Sequence, residues 1–217
     1  MAIRELREVC RGRHQLVRLR TRLAQMIRAL LLRCDAGDPP RAQLYAPAAL
    51  AWLADVHVAP DAERSLRRLE RLYRAVHADA AAADCDVRAR AALDPIARAL
   101  DPLVGIGPVR ALTIRAEIGD IARFPRGAAL ASYAGLVPRV EGSADRVYYG
   151  RITRQGSPWL RWVLVEAALN AMKRPDGVGR WARRLAVRKG VGKARVALAR
   201  VLCHEIVALW PRTTHAS

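Results

Sequence analysis

Apolar residues recur at helical spacing along most of the chain. Between residues 3 and 32, leucine, valine and isoleucine return every three or four positions, which predicts one long helix with arginine on its other face. The spacing approximates a heptad seam that Arg13 and Arg20 interrupt, so we expect an imperfect coiled-coil-like helix. The segment from Cys34 to Pro40 ends in Gly-Asp-Pro-Pro and stops this helix.

Two further helices are predicted over residues 48–53 and 61–83, the second of which carries an apolar stripe from Leu66 to Val76. The first and third helices are expected to form an antiparallel helical hairpin, a domain over residues 1–86. Two interpretations of this hairpin stay open and are compatible. It can be a spacer or dimerisation arm, and it can be an arginine-lined surface for DNA or RNA.

From residue 87 onward, shorter helices alternate with glycine and proline, which indicates a second domain over residues 87–217. Helices are expected over residues 88–100, 109–118, 127–133, 159–172 and 193–209. A long loop is expected to reach Ser157, and a basic connector is expected around Lys189 and Gly190. A loop of that length is uncommon in a compact domain unless it has a function. The predicted fold class is all-α.

The chain has a formal net charge of +18 and a pI near 11.3, and most of its cations are arginines. A polyanionic partner follows, with nucleic acid favoured over an anionic membrane surface. No apolar run has the length of a membrane span and the first residues are charged, so we expect a cytoplasmic protein without a membrane partner. The four cysteines form no Cys-x-x-Cys pair, and neither a metal site nor a disulfide framework is expected.

The sequence Gly105-Ile106-Gly107-Pro108 lies between two predicted helices. Its glycines permit a turn that directs backbone N–H groups outward at the start of the second helix, where phosphate binds. Gly105 and Gly107 are therefore candidate nucleic-acid contacts. An ordinary helical hairpin that needs glycine is the alternative.

Ser143 lies in the expected loop, among cations that could offset the negative charge of a phosphoryl-transfer transition state. These candidate nucleic-acid contacts are Arg139, Arg146, Arg151 and Arg154. By residue type alone, a solvated loop serine is the favoured interpretation of Ser143. Ser157 precedes Pro158 and is predicted to cap the next helix.

The stretch 173–200 contains many more cations than acids, and it adds Lys189 and Lys193 to the candidate contacts. A solvated charged face is the alternative. Glu117 and Asp120 could be a metal-binding pair, but pairing with nearby arginines is the simpler interpretation.

Three blocks between Val104 and Arg161 occur in a fixed order: V-G-I-G-P, then L-A-S-Y-A-G-L-V-P, then G-S-A-D-R-V-Y-Y-G-R-I-T-R-Q-G-S-P-W-L-R. They resemble the C-terminal domain of the IS110/IS116 family of insertion-sequence transposases. The resemblance implies a compact helix-hairpin-helix-like transposase domain and an RNA-guided DNA recombinase that uses a serine nucleophile. Ser143 matches the position of that nucleophile, although Ala144 follows where the family usually has glycine.

The resemblance also implies DNA and a structured guide RNA as partners, together with a homo-oligomer or a hetero-oligomer with an intact transposase. In the family an acidic, Mg²⁺-dependent nuclease-like domain precedes these blocks, and its motif is not in this sequence. We therefore expect a truncated transposase that is inactive alone, holds no cofactor itself and associates with the bacterial nucleoid. The alternatives are a non-catalytic nucleic-acid-binding remnant and a dimerisation partner of an intact relative.

Overall fold

The computed structural model describes residues 3–41, 43–143 and 146–214, with side chains except at 140–149 and 211–214. Helices dominate these ranges, which confirms the predicted all-α class. The helices are α1 (Ile3–Arg33), α2 (Pro47–Asp55), α3 (Pro60–Leu93), α4 (Pro95–Leu100), α5 (Pro108–Ile118), α6 (Gly127–Tyr133), α7 (Pro158–Met172), α8 (Gly177–Lys189) and α9 (Val191–Thr214). A 3-10 turn, Ile121–Arg123, follows α5, and one two-stranded sheet precedes α7. None of the helices in the described ranges combines the length and apolar character of a membrane span.

Contacts divide the chain into two compact units. One unit comprises residues 11–86, and the other comprises residues 1–10 together with 87–217. The long helices α1 and α3 each contribute to both units.

The unit of residues 11–86 has its own apolar core, built from α1, α2, α3 and Leu44. Its largest fully buried side chains include Ile27, Leu53, Leu66 and Tyr73. Arg67 of α3 donates hydrogen bonds to the carbonyl oxygens of Leu53 (2.7 Å) and Val56 (2.5 Å), and so fastens α3 to the end of α2.

The second unit surrounds α5, most of whose residues are buried. Helices α4, α6, α7 and α9 supply most of the rest of this core, and α1, α3 and α8 also contribute, including Leu6 and Cys10 of α1. Arg7 of α1 donates to the carbonyl oxygen of Ala116 at 2.7 Å, which ties the start of α1 to α5.

The expected break between residues 83 and 88 is wrong, because α3 continues to Leu93. The buried positions Leu66, Tyr73, Ala80 and Val87 recur every seven residues, so one face of a single helix remains covered. The chain breaks at Asp94-Pro95 instead. The Asp94 carboxylate accepts a hydrogen bond from the Ala97 N–H (2.8 Å) and begins α4.

The long loop expected before Ser157 is also wrong, because it contains a β-hairpin. Strand β1 (Pro138–Ser143) pairs with the antiparallel strand β2 (Arg146–Ile152). The sequence of β2 is rich in Val, Tyr and Ile, which favour strands. The arginine and glycine residues between them interrupt the alternation of apolar and polar positions by which a strand is predicted.

The basic connector expected around Lys189 is wrong as well, because residues 177–189 form α8. Asp176 begins this helix by accepting a hydrogen bond from the Gly179 N–H at 2.9 Å. That hydrogen bond, followed by the contact with Arg174, lowers the pKa of Asp176. Gly190 ends the helix at φ +86°.

Candidate nucleic-acid interface

The turn between α4 and α5 is held against α7. Gly105 adopts φ +82°, and a Cβ at this position would lie 2.1 Å from the Ala167 carbonyl oxygen and 2.8 Å from the Ala171 nitrogen. Both the positive φ and the close helix therefore require glycine. Packing alone accounts for Gly105.

Gly107 occupies a different environment two residues later. It is the N-cap of α5 with extended backbone (φ −141°), and nothing lies within 4 Å of a Cβ built on it. Gly107 therefore has neither the positive φ nor the close backbone contact that require glycine at position 105. Pro108 follows as the first helical residue, so the outward N–H groups of Val109 and Arg110 are the donors left at this helix end.

A cavity of about 260 Å³ lies beside the start of α5. Its lining includes the cationic residues Arg88 and Arg98, the acidic residue Asp101, and Pro108. Arg98 is exposed. The positive end of the α5 dipole and these guanidinium groups suit a phosphate.

The base of the β-hairpin interlocks with the end of α6. A Cβ on Gly156 (φ +104°) would lie 1.9 Å from the Tyr133 carbonyl oxygen, and a Cβ on Gly135 (φ +67°) would lie 2.3 Å from that of Gln155. The Ser157 N–H donates to the Tyr133 carbonyl oxygen at 3.2 Å. These glycines therefore serve close backbone packing, which fixes where the hairpin leaves the domain.

Arg161 of α7 reinforces this base. Its Nη1 donates to the carbonyl oxygens of Ala134 (3.1 Å) and Arg154 (3.0 Å), on the two sides of the hairpin. Arg154 itself adopts φ +56°. One side chain thus joins α6, the hairpin and α7.

Ser143 is the last residue of β1, and its register partner is Arg146, the first residue of β2. The side chains of both lie outside the described residues, as does the intervening pair 144–145. Arg139, Arg151 and Arg154 are exposed nearer the base of the hairpin. The nucleophile role of Ser143 therefore stays a prediction.

A buried hydrogen bond links α5 to the start of α7. Ser157 Oγ donates to Glu117 Oε2 at 3.1 Å and accepts from the Leu160 N–H at 3.2 Å. The predicted capping role of Ser157 is confirmed. Glu117 is only 2% exposed, so this contact helps to satisfy a carboxylate inside the core.

Asp120 has a local role, since its carboxylate accepts from the Ala122 N–H at 2.9 Å and caps the 3-10 turn. In the part of the chain that the structure describes, no three His, Cys, Asp or Glu side chains come together as metal ligands. The carboxylates of Glu117 and Asp120 are instead engaged by Ser157 and by the start of the 3-10 turn. Burial raises the pKa of the Cys203 thiol to about 12, which keeps it protonated at neutral pH.

The cations of α8 and α9 divide into two groups. Arg183 donates to the carbonyl oxygens of Met172 (2.6 Å) and Arg174 (2.7 Å) and so caps the end of α7. Lys189 and Lys193, at the junction of α8 and α9, are exposed. They are available to a polyanion.

Residues 97–185 match the family model described as "Transposase IS116/IS110/IS902 family". This segment is similar to a domain of that transposase family, and we call it the transposase segment. A probable family 20 transposase of Pseudomonas aeruginosa is 28% identical over 211 residues, covering 94% of this chain and 62% of the relative. The transposase for insertion sequence element IS1111A of Coxiella burnetii is 31% identical over 197 residues, which cover 86% of this chain and 53% of the relative. The chain thus spans less than two thirds of the length of these relatives.

The transposase segment contains most of the predicted site. The turn with Gly105 and Gly107 and the whole β-hairpin fall inside residues 97–185. Lys189 and Lys193 lie beyond it. The predicted family resemblance is confirmed, whereas the RNA guide and the serine chemistry stay predictions.

Sequence reasoning did not identify the contacts of Glu117 and Arg161 and did not single out Trp181, all of which lie in the transposase segment. Glu117 and Ser157 are far apart along the chain, and no local pattern connects them. Arg161 looks like any other arginine in a basic protein. Trp181 fell in a stretch interpreted as a connector; an aromatic residue among cations is the signal that could have found it.

Proposed function

We propose that this chain is the DNA-handling and strand-transfer part of an insertion-sequence transposase, with Ser143 as nucleophile. The observation that carries the proposal is the β-hairpin inside the transposase segment, at whose far end Ser143 and Arg146 are register partners. A nucleophile must be held in a defined position relative to its substrate. A hairpin whose base is packed against the domain supports such positioning of its end residues.

The proposed reaction is a transesterification. Ser143 Oγ bonds to a DNA phosphorus while the bond from that phosphorus to one deoxyribose oxygen breaks. The serine proton leaves to a base, and the departing deoxyribose oxygen takes up a proton. The product is a covalent protein–DNA phosphodiester, which a later DNA hydroxyl can resolve.

Two cationic features support binding of the DNA strand near this step. Arg139 and Arg151 are exposed on the hairpin, and the start of α5 offers N–H groups beside Arg98. Such groups hold phosphates and offset the charge that develops in the transition state. DNA, a structured RNA and an oligomeric partner are the proposed partners.

The test is formation of a covalent adduct. The chain is mixed with an intact family relative, that relative's RNA and element-end DNA, and Mg²⁺, and DNA attached to a polypeptide of this chain's mass is sought under denaturing conditions. The Ser143→Ala variant should form no adduct and should bind DNA nearly as well as the unaltered chain.

The matched control is Ser157→Ala, which removes the other serine hydroxyl nearby. It should lose about 1 kcal/mol of cap stability, lose further stability because the buried Glu117 carboxylate loses a hydrogen-bond donor, and still form the adduct. If the Ser143→Ala variant still forms the adduct, a residue other than Ser143 is the nucleophile. Absence of any adduct from a chain that still binds DNA favours the non-catalytic binding module.

A further inference from the structure

Helix α8 has an outward face that mixes apolar and cationic side chains. A broad open concavity of about 570 Å³ is lined by Trp181, Arg184, Val187 and Arg188, which we call the α8 face. Trp181 is 38% exposed and Val187 is 89% exposed. Positions 181, 184 and 188 lie at helical spacing, so their side chains share one side of α8.

Every charged side chain along α8 and the following part of α9, up to His204, is cationic. The sequence has no Asp or Glu between Gly177 and His204, although it has many arginines and lysines there. Some of these arginines cap helices, as Arg183 does at the end of α7. Among the described residues, Arg184 and Arg188 have no hydrogen-bond or ion-pair partner.

This combination favours one kind of partner. A cationic surface without acidic residues complements a polyanion, and an exposed indole among guanidinium groups is a stacking platform for a base. Bases inside a duplex are already stacked on one another and cannot lie on Trp181. A strand with unpaired bases can place a base on the indole and its phosphates on the arginines.

The spacing along the helix suits a strand. Arg184 and Arg188 are one turn apart, which corresponds to a rise of about 6 Å along α8. Two guanidinium groups at that separation can hold successive phosphates of a single strand. Val187, between them in sequence, adds exposed apolar area beside the base.

We propose that the α8 face binds an unpaired stretch of nucleic acid, with a base stacked on Trp181 and phosphates held by Arg184 and Arg188. The proposal rests on the proposed function, in which the chain binds nucleic acid. It adds that the chain binds single-stranded segments as well as duplexes. It also names the residues whose loss should weaken single-strand binding more than duplex binding.

The test compares a thymidine dodecamer with a DNA duplex of the same length, using full-length protein at fixed ionic strength. Trp181→Ala should weaken binding of the dodecamer by roughly 5- to 100-fold and leave duplex affinity nearly unchanged. Trp181→Phe keeps an aromatic ring and should retain most of the dodecamer affinity. The melting temperature of each variant is measured alongside.

A second readout does not depend on a substitution. A dodecamer that carries 5-iodouracil is photocrosslinked to the unaltered chain, and the attachment site is mapped by mass spectrometry. The crosslink should map to Trp181. Tryptophan quenching by the dodecamer should also persist in Trp52→Phe, the matched control, and fall in Trp181→Ala.

Three results would overturn the proposal. One is equal dodecamer affinity in a folded Trp181→Ala variant, and another is a crosslink confined to other residues. The third is a Trp181→Ala variant that changes from oligomer to monomer in sedimentation while its nucleic-acid affinity is unchanged, which would make the α8 face a protein contact. Failure of the unaltered chain to bind either the duplex or the dodecamer would instead contradict the proposed function.

Discussion

Gly105 and Gly107 stand two residues apart in one turn and have opposite structural requirements. Gly105 has a positive φ and abuts the α7 backbone, so a substitution there disturbs folding and cannot report on DNA. Gly107 has extended backbone and open space at its Cβ position. A side chain at Gly107 therefore probes the start of α5 without disturbing the core.

We predict that Gly107→Asp keeps or raises the melting temperature and weakens DNA binding. Aspartate is a good N-cap and interacts favourably with the helix dipole, but its charge repels a phosphate at the same N–H groups. Gly107→Asn is the matched control, since it caps the helix with the same shape and no charge. Equal DNA affinity of the Asp and Asn variants would show that the start of α5 does not contact phosphate.

The residue scale also shows which contacts a sequence can predict. The capping role of Ser157 follows from its place before Pro158, because a cap depends on neighbours within one turn. The Glu117–Ser157 hydrogen bond joins residues 40 positions apart. The contact between Gly105 and Ala167 is of the same kind, and only the assembled core creates it.

At the scale of elements, the predicted helices with regular apolar stripes are present in the structure, and the β-hairpin and α8 were missed. In β2, arginine and glycine interrupt the alternation that would indicate a strand. In α8, Val178, Ala182 and Leu185 do recur at helical spacing and Asp176 supplies a start signal, so the sequence contained a helix pattern that the prediction did not use. The helix break that was predicted near residue 88 is misplaced, because no helix-breaking residue lies between Asp84 and Val87 and α3 continues through them.

The junction of α2 and α3 provides a pH-dependent test of element packing. Glu63 accepts a hydrogen bond from the Val58 N–H at 3.0 Å and pairs with Arg67 at 2.7 Å. The Val58 hydrogen bond, followed by the Arg67 contacts, lowers the pKa of Glu63 below 4.5. Because the folded pKa is depressed, this stabilisation is present above the unfolded pKa and is lost as pH falls through the folded pKa.

We therefore predict that Glu63→Gln lowers the free energy of unfolding at pH 7 and that the difference from the unaltered chain shrinks as the pH falls below about 4. Urea unfolding at several pH values measures this difference. His57→Gln is the control, because His57 lies 3.6 Å from Glu63 with a side chain that is 82% exposed. A Glu63→Gln penalty that is constant from pH 7 to pH 3 would contradict the assigned cause.

At the scale of the whole molecule, composition predicts a polyanionic partner, and the ordered blocks indicate similarity to the transposase family. Neither depends on knowing which residues touch. A net charge of +18 favours a polyanion whatever the fold. The match over residues 97–185 requires only the order of short blocks in the chain. The site itself needed the structure, because Gly105 and the hairpin base acquire their roles through packing.

The whole-molecule prediction concerns salt. If the chain neutralises six or more phosphates, its duplex affinity should fall about 10³- to 10⁵-fold between 50 and 200 mM salt.

The double variant Lys189→Ala/Lys193→Ala removes two exposed cations at the α8–α9 junction and should reduce the slope of log K against log salt by about 2. Arg64→Ala is the control, since Arg64 already pairs with Asp61 in α3, and it should leave the slope unchanged. A salt-insensitive isotherm would contradict phosphate-dominated binding as a whole. If the double variant keeps the steep salt dependence of the unaltered chain with an unchanged slope, the phosphate contacts lie elsewhere on the molecule. Lys189 and Lys193 would then belong to a solvated charged face.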